Sequence, residues 1–148
     1  MAPNFTLPSS DGGVVALSKL RGSTVVLYFY PKDMTGGCTQ EAHEFTDLAK
    51  KFAKKDVRIF GVSPDSIKSH EKFITKEGIG FPLLSDEDKE VCMAYGVWKE
   101  KSMYGRKYMG VVRSTFVIDP KGKIASVYRK VSVPGHALCV LEDIGAKK

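Results

Sequence analysis

Cys38 closes the run Pro31-Lys32-Asp33-Met34-Thr35-Gly36-Gly37-Cys38, directly after an apolar segment and directly before an amphipathic one. Thr24 to Tyr30 predicts a buried strand, and Thr39 to Lys55 predicts a helix. Cys38 is therefore expected at a helix N-terminus, where unpaired backbone N–H groups and the macrodipole favour an anion. A thiol held there is biased toward thiolate, its nucleophilic form. The preceding Gly36-Gly37 pair lets backbone donors approach a ligand closely.

The other candidate residues lack this setting. On the expected helix 39–55, Ala42, Phe45, Ala49 and Phe52 form one apolar stripe, and Cys38 precedes it by four residues, on the core side. Cys92 falls about a quarter-turn off a face made by Val91, Ala94 and Tyr95, a boundary position suited to packing. Cys139 points nearly opposite the stripe Ala137, Val140, Leu141 and Ile144, which makes it a surface thiol. His43 lies five residues beyond Cys38, about 140° around the helix, and reads as a surface histidine rather than a base. His70 and His136 show no metal-ligand spacing, and the cysteine intervals of 54 and 47 residues fit neither a disulfide framework nor a zinc site.

The elements that must position these groups alternate along the chain. An extended start leads through Asp11-Gly12-Gly13 to a short strand at Val14 to Leu17, then to strand 24–30 and helix 39–55. Val57 to Ser63 predicts a second apolar strand, and Ser66 to Glu77 a second helix. Ser85 to Asp88 resembles a capping box for a short helix reaching about Tyr95. Thr115 to Ile118 and Lys123 to Tyr128 flank an Asp119-Pro120-Lys121-Gly122 turn, and a last helix covers about His136 to Ile144. This order predicts an α/β fold with a mixed central sheet flanked by helices.

At 148 residues, 43% hydrophobic and 27% charged, the chain is expected to be one globular domain with a full core and no need of disulfides. No stretch has the length of a membrane span, and residues 1–20 lack a signal peptide's apolar centre. The odd cysteine number fits a reducing, cytoplasmic setting. The net charge is +6, and the densest basic stretch is Lys99 to Lys107, with Tyr104 and Tyr108 interleaved, but no nucleic-acid motif accompanies it. A solvated basic surface is the expectation, with neither nucleic acid nor membrane as partner.

Several segments together resemble a peroxiredoxin of the bacterioferritin-comigratory-protein/PrxQ branch. They are Ala2-Pro3-Asn4-Phe5-Thr6-Leu7-Pro8, Phe29-Tyr30-Pro31-Lys32-Asp33-Met34-Thr35, Gly37-Cys38-Thr39, Gly61-Val62-Ser63, Phe81-Pro82-Leu83-Leu84-Ser85-Asp86 and Arg113-Ser114-Thr115-Phe116-Val117-Ile118-Asp119. The resemblance runs over essentially the whole chain. It implies a thioredoxin-like fold and thiol-dependent reduction of hydrogen peroxide and organic hydroperoxides, an antioxidant activity needing no metal or other cofactor. It makes Cys38 the peroxidatic cysteine. Thr35 would hold the thiolate and one peroxide oxygen, Pro31 would shield the site, and Arg113 would come from a distant strand to stabilise developing charge. Glu41 would orient that arginine through a bidentate contact. Lowering a thiol pKa from about 8.5 to about 6 raises the thiolate fraction only about thirtyfold, or about 2 kcal/mol. Fast turnover must then rest on donors aimed at both peroxide oxygens: Thr35, Arg113 and the N–H groups of Gly37 and Cys38.

The pattern departs from the family at the second thiol. Relatives place a resolving cysteine at the position of His43 or, on the next helix, at that of Ile74; the family's usual Thr-Pro-Gly-Cys is Thr35-Gly36-Gly37-Cys38 here. The expectation is a one-cysteine enzyme, a monomer or weak homodimer, whose sulfenic acid is reduced by thioredoxin, glutaredoxin or a small thiol. Condensation with Cys92 or Cys139 stays open. A thiol–disulfide oxidoreductase would carry Cys-x-x-Cys, which is absent; a redox sensor or holdase would oxidise once without cycling.

Overall fold

The computed structural model describes residues 2–146. In chain order the elements are β1 (Thr6–Pro8), β2 (Val14–Ala16), a 3-10 turn (Leu17–Leu20), β3 (Thr24–Phe29), α1 (Gly36–Lys54), β4 (Val57–Ser63) and α2 (Ile67–Glu77). There follow β5 (Leu83–Ser85), α3 (Glu90–Ala94), β6 (Trp98–Met103), β7 (Arg106–Val111), β8 (Ser114–Ile118), β9 (Ile124–Arg129) and α4 (His136–Ala146). The central sheet runs β5-β4-β3-β8-β9. β3, β4 and β5 are parallel, while β8 lies antiparallel to both β3 and β9. This is the mixed, helix-flanked sheet expected, in a thioredoxin-like arrangement.

β3 decides what lies on either side. Its residues alternate between faces, as pleating requires. Val25, Leu27 and Phe29 pack with Phe5, Leu17, Cys92, Tyr95, Val97 and Phe116. Val26, Tyr28 and Tyr30 pack with Cys38, Ala42, Phe45, Phe52, Phe73, Ala137 and Val140 of α1, α2 and α4. Burying the strand on both faces explains why its sequence is continuously apolar rather than alternating. Gly61 is needed beside it: a Cβ there would fall 2.7 Å from Leu83 Cδ2 and 2.9 Å from the Tyr28 ring.

Four local expectations are corrected. α1 begins at Gly36, not Thr39: Thr35 is extended (φ −91°, ψ 156°) in the N-cap position, and the N–H of Thr39 donates to Thr35 O at 2.8 Å. Two glycines, poor helix formers, conceal that first turn in the sequence. Ser85 does not cap α3; its hydroxyl donates to Asp65 O, and Asp86 accepts the N–H groups of Val91 and Cys92 instead. With the helix fixed by Asp86, Cys92 is wholly buried rather than at a boundary. Finally, the basic stretch is a two-stranded hairpin, β6 paired with β7. Its turn residues Tyr104 and Gly105 both have positive φ (52° and 77°), the geometry a tight hairpin turn requires; a tyrosine there gives no turn signal.

Candidate active site

Cys38 is the third residue of α1 and is 1% exposed. The N–H groups of Gly36, Gly37 and Cys38 come before that of Thr39, the first to bond within the helix, so the turn presents free donors beside the sulfur. Arg113 reaches Cys38 from the link between β7 and β8. Its Nη2 donates to Cys38 Sγ at 3.3 Å, and its Nη1 donates to Glu41 Oε1 at 2.6 Å. The arginine thus lies one residue outside a strand rather than on one; Val131 N–H holds its backbone carbonyl at 3.0 Å. One guanidinium is thereby shared by the thiol and a carboxylate three residues further along the same helix.

The Glu41 contact uses one carboxylate oxygen, not the bidentate pair expected, and Oε2 has no hydrogen-bond partner among the described residues. That carboxyl is 1% exposed. Burial pushes its pKa up to about 7 against the opposing pull of Arg113. Burial acts to lower the Arg113 pKa, but the charges of Glu41 and Cys38 outweigh it and leave it raised. Arg113 is therefore a permanent cation at the sulfur.

Gly37 makes this approach possible. A Cβ on residue 37 would sit 3.1 Å from Arg113 Nη2, whereas one on Gly36 would meet nothing within 4 Å. The two glycines have different reasons to be there, which spacing alone does not reveal. Lys101, on β6, also borders the site: its Nζ donates to Val111 O at 2.8 Å. Burial and the Arg113 charge lower its pKa, while Cys38 opposes them.

Thr35 is exposed, and its hydroxyl donates to Lys32 O at 2.9 Å. With its proton committed to that carbonyl, the oxygen is left as an acceptor toward anything that enters beside Cys38. Pro31 is half-buried at the start of the same loop. Met34, 43% exposed and at φ 65°, edges a groove of about 470 Å3 with Glu71, Lys72, Thr75 and Lys76 of α2.

The remaining candidates stand apart. His43 is exposed and pairs with Glu77 at 2.9 Å. Ile74 is partly buried against the α1-side core. Cys92 belongs to the core on the other face of the sheet, and burial with Asp86 nearby raises its pKa well above the ordinary thiol range. Cys139 is exposed on α4, its Sγ 3.8 Å from Asp143 Oδ2; slight burial, then the Asp143 charge, raise its pKa. His136 is buried and bonded to Thr115 at 2.8 Å. Among the described residues no cluster of three His, Cys, Asp or Glu is placed to hold a metal ion, and no helix is long and apolar enough to cross a membrane. The sequence reading missed Asp33 and His70, both buried behind the loop; isolated polar residues in a loop and a helix carry no spacing signal.

Known proteins resemble this chain in sequence and fold. The AhpC/TSA family profile matches residues 1–127. Peroxiredoxin Bcp of Xanthomonas campestris pv. campestris is 47% identical over 147 residues, covering 98% of this chain and 92% of the relative. Peroxiredoxin Bcp of Bacillus subtilis is 46% identical over 149 residues, covering 99% and 95%. A solved cysteine-to-serine mutant of Xanthomonas campestris Peroxiredoxin Q superposes with a TM-score of 0.93 at 45% identity, over 97% of this chain and 92% of that one. A yeast mitochondrial 1-Cys peroxiredoxin, solved to explain thiol resolution by glutathione and thioredoxin systems, is 30% identical with a TM-score of 0.81, over 98% and 73%. The buried helix-start thiol, the arginine that reaches it and these matches along the whole chain agree: the chain belongs to the AhpC/TSA family, in its Bcp/PrxQ branch, and is a peroxiredoxin, a thiol-dependent peroxidase.

Proposed function

We propose that Cys38 reduces hydrogen peroxide and organic hydroperoxides and is regenerated by an external thiol, in a reducing cytoplasmic setting. The observation that carries this reading is the Arg113 fork, 3.3 Å from Cys38 Sγ and 2.6 Å from Glu41 Oε1. The Cys38 thiolate attacks one peroxide oxygen; an S–O bond forms, the O–O bond breaks, and sulfur gives up two electrons. The departing oxygen takes a proton and leaves as water or alcohol, and Cys38 becomes a sulfenic acid. Arg113 and the N–H groups of Gly37 and Cys38 stabilise the charge moving from sulfur to oxygen. Thr35, its own proton held by Lys32 O, accepts the hydroxyl hydrogen of the incoming peroxide and aligns it. Pro31 and the close packing around Cys38 limit water.

For organic hydroperoxides, support comes from a relative. A Xanthomonas campestris Bacterioferritin Comigratory Protein, 45% identical with a TM-score of 0.92, has been studied for alkyl peroxide reduction through trapped intermediate and ligand complexes, which supports this substrate class.

External regeneration is favoured by the placement of the other thiols. Cys92 is on the far face of the sheet, and the positions where the family resemblance implies a resolving cysteine are held here by His43 and Ile74. An incoming thiolate attacks the Cys38 sulfenic sulfur and expels hydroxide, which takes up the proton the thiol gave up and leaves as water, with a mixed disulfide remaining; a second thiol then releases Cys38 and carries away the disulfide. Thioredoxin, glutaredoxin and small thiols are the candidate donors. The test is intact-mass analysis after one equivalent of hydrogen peroxide. A gain of one oxygen mapped to Cys38, and abolished in Cys38→Ser, is expected. A loss of two hydrogens, with Cys38 joined to Cys92 or Cys139, overturns external resolution; turnover by Cys38→Ser overturns the whole assignment.

A further inference from the structure

Asp33 sits at the middle of the loop between Pro31 and Thr35, yet its side chain is 1% exposed. Tyr30 Oη donates to Asp33 Oδ1 at 2.5 Å. Ser69 Oγ donates to Asp33 Oδ2 at 2.8 Å, and His70 Nδ1 lies 2.7 Å from the same oxygen. His70 is fully buried, and its Nε2 lies 2.8 Å from Leu84 O, which can only accept. Nε2 therefore carries a hydrogen. Asp33, surrounded by the Tyr30 and Ser69 hydroxyls, is served best by a third donor at Nδ1. The pair shares a hydrogen bond enclosed between α2 and the loop. From the other side, Asp33 N–H donates to Asp65 Oδ2 at 2.8 Å, and Asp65 is fixed by Ser63 Oγ at 2.6 Å.

A six-residue loop, 30–35, would ordinarily be a mobile connection. Here its central residue is bonded to α2 through Ser69 and His70, to the end of β4 through Asp65, and to β5 through His70. Two residues before Asp33 is Pro31, and two after it is Thr35, whose hydroxyl also bonds back into the loop at Lys32 O. Building on the peroxidase reading above, we infer that Asp33 and His70 are positioning residues for peroxide reduction: their buried pair fixes the loop so that Thr35 aligns the peroxide oxygens with Cys38. Neither touches the reacting atoms. A buried ion pair is weak evidence of added stability, because desolvation offsets much of its attraction; fixing one loop geometry is what this pair accomplishes.

The test separates positioning from simple folding glue. Asp33→Asn and His70→Gln are compared with the parent for two reactions of Cys38: peroxide reduction and alkylation by iodoacetamide. Alkylation needs a reactive sulfur but no aligned pair of oxygens. The expected result is a fall of about 10- to 100-fold in the peroxide rate constant, with alkylation changed less than about threefold. Ser69→Ala, which removes one donor to Asp33, keeps the measurement informative if the larger changes unfold the chain; it is expected to give a smaller loss of the same selective kind. In a Thr35→Val background, Asp33→Asn is expected to cost little more, because both act through one alignment. Equal losses in the two reactions, or none in either, overturn the proposal. Full additivity with Thr35→Val does so too. A Thr35→Val protein of unchanged activity overturns it as well, because the pair is held to act through Thr35.

Discussion

Residue 37 and Arg113 are matched by absence: the space a side chain would fill at Gly37 is occupied, 3.1 Å away, by Arg113 Nη2. A Cβ there would crowd the guanidinium where it leans on the first turn of α1. Gly37→Ala should therefore displace the guanidinium and lower the peroxide rate constant about tenfold, while alanine's better helix propensity leaves the fold as stable or more so, by up to about 1 kcal/mol. Stopped-flow peroxide oxidation, paired with thermal melts, reads the two effects separately. A slower enzyme that is no less stable is the expected outcome.

Gly36, one residue earlier, should respond in the opposite way. Nothing lies within 4 Å of its missing Cβ, and Thr35 already has the extended backbone that a following proline demands (φ −91°, ψ 156°). Gly36→Pro at the first helical position should stabilise α1 by about 0.5–1 kcal/mol without loss of peroxide reactivity. A destabilised Gly36→Pro protein would contradict the helix start described here.

Arg113→Lys keeps a charge but loses the fork that spans Cys38 and Glu41. Peroxide reduction is expected to fall about 100- to 1000-fold. Because Glu41 is buried, losing its partner is also expected to cost stability, which urea titration would show. A variant within threefold of the parent would argue that the cation, rather than its geometry, suffices.

Two buried groups should pull the pH dependence of stability in opposite directions. Glu41, raised from an ordinary value of 4.5 to about 7, holds a proton in the folded chain that the unfolded chain has already released. Stability from this group is full below pH 4.5 and is lost as pH rises toward 7. His136, lowered from 6.5 to about 4 by burial and then by Arg113, is neutral in the folded chain where the unfolded chain is charged. Its contribution is full above pH 6.5 and is lost as pH falls toward 4. Between about 4.5 and 6.5 the two slopes offset each other. Glu41→Gln should unmask the histidine, giving stability that rises with pH across that window. Denaturant unfolding at several pH values measures it, and a slope unchanged from the parent would count against the Glu41 assignment.

Cys92→Ala should leave turnover with an external thiol within twofold of the parent, and should cost about 1 kcal/mol for the emptied core volume. Cys139→Ser should change neither quantity appreciably, since its side chain is exposed. Steady-state peroxide consumption and denaturant melts of both variants provide the check.

Much of this architecture could be read from the chain, and the limits are physical. Strand 57–63 and the helix carrying Cys38 show in hydrophobic period, because each buries a regular face. The start of that helix was hidden because Gly36 and Gly37 are poor helix formers, and only Gly37 stands against the arginine. β5 is three residues long, too short for any period to register, and the β6–β7 hairpin bends at a tyrosine. At the site, a motif singled out Cys38, Thr35, Pro31, Glu41 and Arg113, and the structure brings Cys38, Glu41 and Arg113 into contact; the motif gave neither the single-oxygen Glu41 contact nor the loop position of Arg113. Asp33 and His70 were not legible at all: they are 37 residues apart, and only the packing of α2 against the loop brings them within 2.7 Å.

β3 has one further effect. Its two faces keep Cys38 and Cys92 in separate compartments of the core, so for sulfur chemistry the strand behaves as an insulating wall. On the external-thiol route proposed above, an oxidised Cys38 meets no second thiol in its own compartment of the core. It holds its charge until another thiol arrives. The oxidised fraction in steady state is then set by the balance of two fluxes, peroxide arriving and thiol arriving, and a shortage of the second leaves the protein standing as a record of the first.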